Sequence, residues 1–485
     1  MSTSSLKLKI DNVISKIPDK LKGFFYSDLY LILMAVVMVA SWALSFFGIF
    51  HILGIIYVIL MVSLILIVLD DITPIIPLLF CVAFSIGDSS DLSMYIPFLP
   101  IFAPLIIAIV FHLFYYKPDK LRLGKLGIPQ IIISIVMLVG GCTSISLARW
   151  TGALTYTLLL GVAVFFIYFA FYNYIRIRDN AKFDIYIGKT FLWMGMILSA
   201  QIIIYYLKYR VGIPVSEWLA KDWINLGWGI DNNVATLLLI SAPMTLYLST
   251  KMKFPPLYFI LGIIQYLIIV LTFSRGGILF ALITAPAVII CTIIKSPKKA
   301  FPIATLILLV VIGIIVFGVF FDSIKTMLSN IFADGLSSSS RINLYKEALS
   351  CFAKHPFFGV GGGYEGAYMD DVNHVEGLPF YWFHSTLFQI IGGYGLLGIF
   401  AFGYMYYKKG KIIFGDIKKD NFFLFTFLAF LGFELYSLID TGTFVPIPMQ
   451  MIIVILFSIL EHRHTANKAK EEERKIIDLE NAEYV

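Results

Sequence analysis

Charge is scarce in this sequence: Asp, Glu, Lys and Arg make up 14% of its 485 residues, against 59% for the hydrophobic set. A soluble domain carries roughly 25% charged residues to wet its surface, so a soluble reading is excluded at the outset. Cysteine is scarce as well. Cys81, Cys142 and Cys291 fall inside apolar runs and Cys351 stands alone in a long loop, which excludes a disulfide framework or a metal-ligand spacing and leaves packing roles. The first residues, Met1 to Gly23, hold Lys7, Lys9, Lys16, Lys20 and Lys22 but no short apolar core followed by a small-residue cleavage site. No cleavable signal peptide is expected there. No internal repeat is visible.

What the chain has instead is a succession of apolar runs, from Leu29 to Leu460, each near the roughly 20 residues that cross a bilayer as a helix. They predict an all-α polytopic membrane protein of about 14 (12–14) transmembrane helices. The spans fall near 28–47, 49–69, 72–86, 95–115, 128–148, 152–174, 187–207, 232–249, 255–272, 276–294, 301–321, 382–407, 421–439 and 444–460. This gives a tail at 1–27, one integral domain at 28–460 and a charged tail at 461–485, expected as a solvated helix or a disordered segment.

An even number of spans puts both termini on one side. That side collects 28 of the 37 Lys and Arg residues, in the two tails and in the loops at 116–127, 175–189, 250–254, 295–300 and 408–420. Basic loops stay in the cytoplasm, so both termini are expected there. The net charge of +6 therefore reports topology and not a nucleic-acid partner. On the opposite face, two segments are too long for plain connectors: 208–231, and a large outer loop at 322–381. In the second, the serine run 337–340 offers an N-cap, and Leu344, Ala348 and Phe352 recur on one helical stripe. An amphipathic helix over about 341–354 is expected, lying along the outer membrane surface.

Charged and titratable residues at span ends on that outer face carry the candidate chemistry. Thr272-Phe273-Ser274-Arg275-Gly276-Gly277 is a tight turn in which the glycines permit close approach and the guanidinium presents a fork matched to phosphate oxygens. Arg341 follows the serine run at a helix start, where backbone donors favour an anion. His384, in Phe383-His384-Ser385-Thr386, sits where the chain re-enters the membrane; a near-neutral imidazole can take the proton of a hydroxyl nucleophile. Each alone is as readily an interfacial anchor, and it is their convergence on one face that argues for a site. Arg149, in a short outer turn, is a further contact for an anionic carrier. The run His355-Pro356-Phe357-Phe358-Gly359-Val360-Gly361-Gly362-Gly363 reads as a hinge. Asp370, Asp371, His374 and Glu376 match no metal spacing, so no metal and no cofactor are assigned. Glu434 and Asp440 are expected chiefly as packing pairs, with a role in orienting the histidine as the alternative.

These pieces resemble, in order, the O-antigen ligase and polymerase family: Phe273-Ser274-Arg275-Gly276-Gly277, then Arg341 through His355-Pro356-Phe357-Phe358-Gly359-Val360-Gly361, then His384-Ser385 through Tyr394-Gly395-Leu396-Leu397-Gly398. Asp231-Asn232-Asn233-Val234-Ala235-Thr236 is similar to the family's Asn-containing helix entry, so the motif region spans 231–398. Two departures stand out. Ser385 replaces the Asn often found after the histidine, and the expected span count exceeds the family's usual twelve.

The resemblance implies a GT-C-type membrane glycosyltransferase of the bacterial plasma membrane. It would transfer or polymerise glycan from an undecaprenyl-pyrophosphate donor onto a glycan or lipid acceptor in O-antigen, capsule or exopolysaccharide biosynthesis, alongside other polysaccharide-assembly proteins. Arg275 and Arg341 would hold the pyrophosphate and His384 would orient or deprotonate the acceptor. Ser274, Gly276, Gly277, Asn232, Asn233 and Ser385 would line the substrate, and Arg149, outside the motif region, joins them on its outer-turn position alone. A flippase for lipid-linked oligosaccharide is the competing class, but such proteins carry repeats and midplane charges that are not evident here. A metal-dependent membrane glycosyltransferase with acids in its first outer loop is disfavoured, because Phe47-Gly48-Ile49-Phe50-His51 has no carboxylate.

Overall fold

The computed structural model describes residues 11–12, 14–49, 52–87, 92–142, 154–155, 157–212, 224–319, 321–322, 325, 329, 339–362, 364, 382–440, 442, 444 and 449–483. Among these there is no strand, only an isolated bridge between Asn225 and Ile230, and the fold is all-helical. Seven helices are long and apolar enough to cross a membrane, among them Asp28–Phe46, Asn180–Arg210, Arg275–Lys295 and Thr386–Asp416. Five shorter apolar helices, such as Pro255–Leu271 and Asn421–Ser437, accompany them. The chain divides into two compact units, Met1–Asp119 with Tyr174–Ile331, and Lys120–Asn173 with Phe332–Val485.

The first unit contains α1 (Asp19–Phe24), α2 (Asp28–Phe46), α3 (Leu53–Val68), α4 (Ile75–Cys81) and α5 (Ala103–Tyr115). In the second unit come α6 (Gly124–Cys142) and α7 (Ala163–Tyr174), after which the first unit resumes with α8 (Asn180–Arg210), α9 (Asp231–Ser249), α10 (Pro255–Leu271), α11 (Arg275–Lys295) and α12 (Ala300–Val319). The second unit closes with α13 (Ser339–Lys354), α14 (Thr386–Asp416), α15 (Asn421–Ser437) and α16 (Met449–Glu483). Starts follow local chemistry: Ser27, Asp179, Ser274, Ser385 and Asp420 each accept a backbone N–H of the first turn, and Pro255 opens α10 where its missing N–H costs nothing.

In the first unit α9 is the centre, buried continuously from Val234 to Ser249 and packed against α8, α10 and α11. Two of its buried hydroxyls are satisfied sideways: Ser241 and Thr245 donate to Gln265 Oε1 at 3.0 and 3.2 Å. Gly195 leaves the room that Gln265 fills, since a Cβ there would lie 2.3 Å from its amide.

The second unit is organised by a break in α14. At Gly395 the backbone turns left-handed (φ 59°, ψ −150°), which interrupts the helical ladder and strands amides and carbonyls on both sides. The segment 356–361 takes them up reciprocally. Val360 N and Gly361 N donate to Gly392 O and Gly393 O at 3.1 and 2.7 Å, while Leu396 N and Leu397 N donate to Pro356 O and Phe357 O at 2.8 and 3.1 Å. Gly359 and Gly361 adopt positive φ to make this docking, so the glycine-rich run expected as a hinge is a fixed backbone clamp. Small residues bring α13 close as well: a Cβ on Gly392 would lie 3.0 Å from Ala348 Cα.

Two further expectations are corrected. The apolar stripe of α13 is spent on protein and not on lipid: Leu344, Ala348 and Cys351 form one buried cluster with Val360 and Phe383. The charged tail is not solvated where it begins, because α16 runs on through it to Glu483 and buries Glu461, Arg463 and His464. Glu461 accepts from Tyr168 Oη at 2.8 Å and from the amides of Lys125 and Leu126, capping the start of α6. His464 Nδ1 lies 2.6 Å from Asp416 Oδ2.

Gly395→Ala tests the clamp. An added Cβ would lie 2.6 Å from Pro356 O on a backbone that L-residues rarely adopt. The strain should cost about 1–3 kcal/mol, read as a lowered thermal unfolding midpoint in detergent.

Candidate active site

In the first unit the chemistry sits at two adjoining helix starts. Phe273 has a positive φ of 56°, uncommon for a residue with a side chain, and this turns the chain directly into α11. Ser274 then caps the helix by accepting Gly277 N at 3.2 Å while its hydroxyl donates to Asn232 Oδ1 at 2.8 Å, in the first turn of α9. Arg275 is therefore the first residue of α11, its backbone fixed from both sides. Asn233 donates its backbone N–H to Ile230 O. Gly277 packs closely on α9: a Cβ there would meet Ala235 Cβ at 2.5 Å.

In the second unit the same local device recurs. His384 has a φ of 49°, and Ser385, extended and fully buried, caps α14 by accepting Phe388 N. The C-terminal end of α15 approaches this turn. His384 Nδ1 lies 3.5 Å from Asp440 Oδ1, and Thr386 N donates to Asp440 O at 3.2 Å. One residue earlier, Ile439 O accepts Arg341 Nη1 at 2.8 Å, so a single dipeptide anchors the cation and the backbone of the turn that carries the imidazole. Tyr345, one turn along α13 from Arg341, donates to His384 O at 3.1 Å and stacks on Phe388 with ring centroids 4.3 Å apart. Burial raises the Tyr345 phenol above its ordinary value, Arg341 opposing and Asp440 adding, so it stays protonated as that donor.

Arg341, His384 and Ser385 are thus brought together in the second unit, and Asn232, Ser274 and Arg275 in the first. Arg149 lies outside the described residues, as do Asp370, Asp371, His374, Glu376 and Gly363. The residue sequence reasoning undervalued is Asp440, expected mainly as a packing partner. The available signal was its position at the outer end of the span after His384, where an acid is costly without a task. Glu434, by contrast, faces away from this turn and accepts Tyr406 Oη at 2.9 Å.

Another charged concavity, of about 980 Å³ in the first unit, holds none of the expected site residues. Its charges neutralise one another, as in Arg178 with Asp70 at 3.0 Å and Lys189 with Asp28 at 2.5 Å.

The described residues thus combine helices long and apolar enough to cross a membrane with a turn at which a histidine faces a carboxylate and an arginine is held beside them. Residues 257–403 match the family model described as O-Antigen ligase. Arg275, Arg341 and His384 all fall inside the matched stretch, whereas Asp440 lies beyond it. No curated protein and no solved structure matches the chain.

If Asp440 serves His384, the two losses must overlap. Asp440→Ala should slow transfer by no more than His384→Ala, for which about 10²–10⁴-fold is expected of a lost general base. The double variant should be no slower than His384→Ala alone, and rates that multiply would sever the link.

Proposed function

We propose that the protein is an extracytoplasmic glycosyltransferase of the O-antigen ligase or polymerase type. It takes glycan from an undecaprenyl-pyrophosphate donor and passes it to a glycan or lipid acceptor in cell-surface polysaccharide assembly. The observation that carries the reading is the His384–Asp440–Arg341 arrangement, in which a base and a phosphate-type anchor share one scaffold inside or beside the stretch that matches the O-antigen ligase model. The proposed topology is that of about fourteen spans with both termini cytoplasmic, supported by the Lys and Arg distribution.

The chemistry needs no nucleotide-sugar and no metal. Asp440 Oδ1 stands 3.5 Å from Nδ1, and closing that gap to a hydrogen bond when substrate binds would select the tautomer that leaves Nε2 with a lone pair. Nε2 takes the acceptor hydroxyl's proton as the oxygen attacks the anomeric carbon. The bond from that carbon to the pyrophosphate oxygen breaks, and the pyrophosphate leaves with the electron pair. Negative charge grows on the leaving group, which is where a fixed guanidinium stabilises the transition state more than the ground state. Arg341 is suited to this because one N–H is committed to Ile439 O, which orients the rest of its fork. Arg275 enters on its sequence motif and its fixed place at the head of α11, with Ser274 and Asn232 holding that start.

Arg275→Ala and Arg341→Ala should each abolish transfer, and His384→Ala should cut it about 10²–10⁴-fold, with expression and membrane insertion unchanged, as measured with lipid-linked donor and purified protein. Full activity in any one removes that residue from the mechanism. The surface glycan of a deletion strain separates the acceptors: single repeat units indicate a lost polymerase, and long carrier-linked chains indicate a lost ligase. Carrier-lipid transport in proteoliposomes that survives Arg275→Ala would replace the transferase with a flippase.

A further inference from the structure

Deep in the second unit, far along α14 from His384, a lysine is buried with no hydrogen bond to another described residue. The Lys409 ammonium is surrounded by the rings of Tyr406, Phe430 and Phe457, with centroids at 5.5, 5.2 and 4.8 Å. Cation–π attraction answers the charge in part, but it leaves the directional N–H donors unanswered. Glu434 is the nearby carboxylate. Its Oε2 accepts from Tyr406 at 2.9 Å, while its Oε1 is buried with no partner among the described residues. On α16, Gln450 Oε1 is likewise buried with no partner among them.

Lys409, Tyr406 and Gln450 line a cavity of about 30 Å³, walled otherwise by apolar groups such as Met137, Phe402 and Val454. The other polar lining groups have their donors engaged: Gln130 Nε2 donates to Leu160 O at 3.2 Å and Tyr168 Oη to Glu461 at 2.8 Å. What the cavity presents is therefore an ammonium that must donate and an amide oxygen that must accept. An anion would satisfy the first and repel the second. A cation would do the reverse, and an apolar guest would satisfy neither. A molecule that both donates and accepts, and is small enough, meets both needs. The volume suits about two waters at roughly 10–15 Å³ each.

We propose that this cavity is a built water site, in which one or two ordered waters bridge Lys409 Nζ to Gln450 Oε1. The hydrated ammonium then joins α14 to α16, while Tyr406 and Glu434 join α14 to α15. Lys409 is a structural cation and not a substrate contact, and the water is what allows it to remain one inside an apolar bundle. An unpaired buried charge costs several kcal/mol, and bridging by water is the usual remedy when direct partners are out of reach.

The decisive measurement is a high-resolution map of the full-length protein in lipid nanodiscs. Density is expected in the cavity within hydrogen-bonding distance of both Lys409 Nζ and Gln450 Oε1. An empty cavity, in a map that shows other buried waters, overturns the proposal. Thermal unfolding of Lys409→Met, Gln450→Leu and the double variant gives an independent reading. A shared water makes the double variant's loss of midpoint smaller than the sum of the single losses, and additive losses overturn the bridge. If a variant fails to fold, the map of the unsubstituted protein decides alone.

Discussion

The second unit depends on one constraint: in a water-poor interior every backbone amide and carbonyl must find a partner within the protein. The break at Gly395 releases several at once, and the segment 356–361 is shaped to receive them. Four backbone bonds in two directions lock that segment to α14, and the close approach of Gly392 to Ala348 brings α13 along. The site inherits its order from this. Arg341 and Tyr345 are on α13, His384 precedes α14, and a clamp between the two makes their separation a property of the backbone.

Both units position their key residue in the same way, without sharing elements. A left-handed residue with a side chain, Phe273 or His384, is followed by a capping serine, which opens a helix at the next position. The strain is tolerable because the serine returns a hydrogen bond to the first turn and tertiary contacts hold the turn in place. In the first unit the strained residue precedes the candidate arginine. In the second it is the candidate histidine.

Much of this was legible in the chain. Apolar runs of spanning length announced the helices, and the cap and stripe after the serine run placed α13 closely. The Arg275, Arg341 and His384 positions followed from charge appearing where a bilayer penalises it. Other features were hidden for physical reasons. A glycine-rich segment has the same composition whether it hinges or docks; only the stranded amides of α14, a tertiary fact, distinguish the two. The stripe of Leu344 and Ala348 is equally suited to lipid or protein, since both are apolar. Asp440 was ambiguous because its partner is 56 positions earlier in the sequence and meets it only once α14 and α15 are paired. The tail misled because alternating charges read as solvated, although Glu461 and His464 are taken up by the start of α6 and by Asp416.

The dipeptide Ile439–Asp440 holds Arg341 through one carbonyl and the amide of Thr386, two residues after His384, through the next. Within this unit it acts as a gauge. The gap between the Arg341 guanidinium and the turn that carries His384 is set by the spacing of two neighbouring carbonyls, and not by the reach of either side chain. On the proposed function, residues elsewhere could then change with the glycan while this spacing stayed constant.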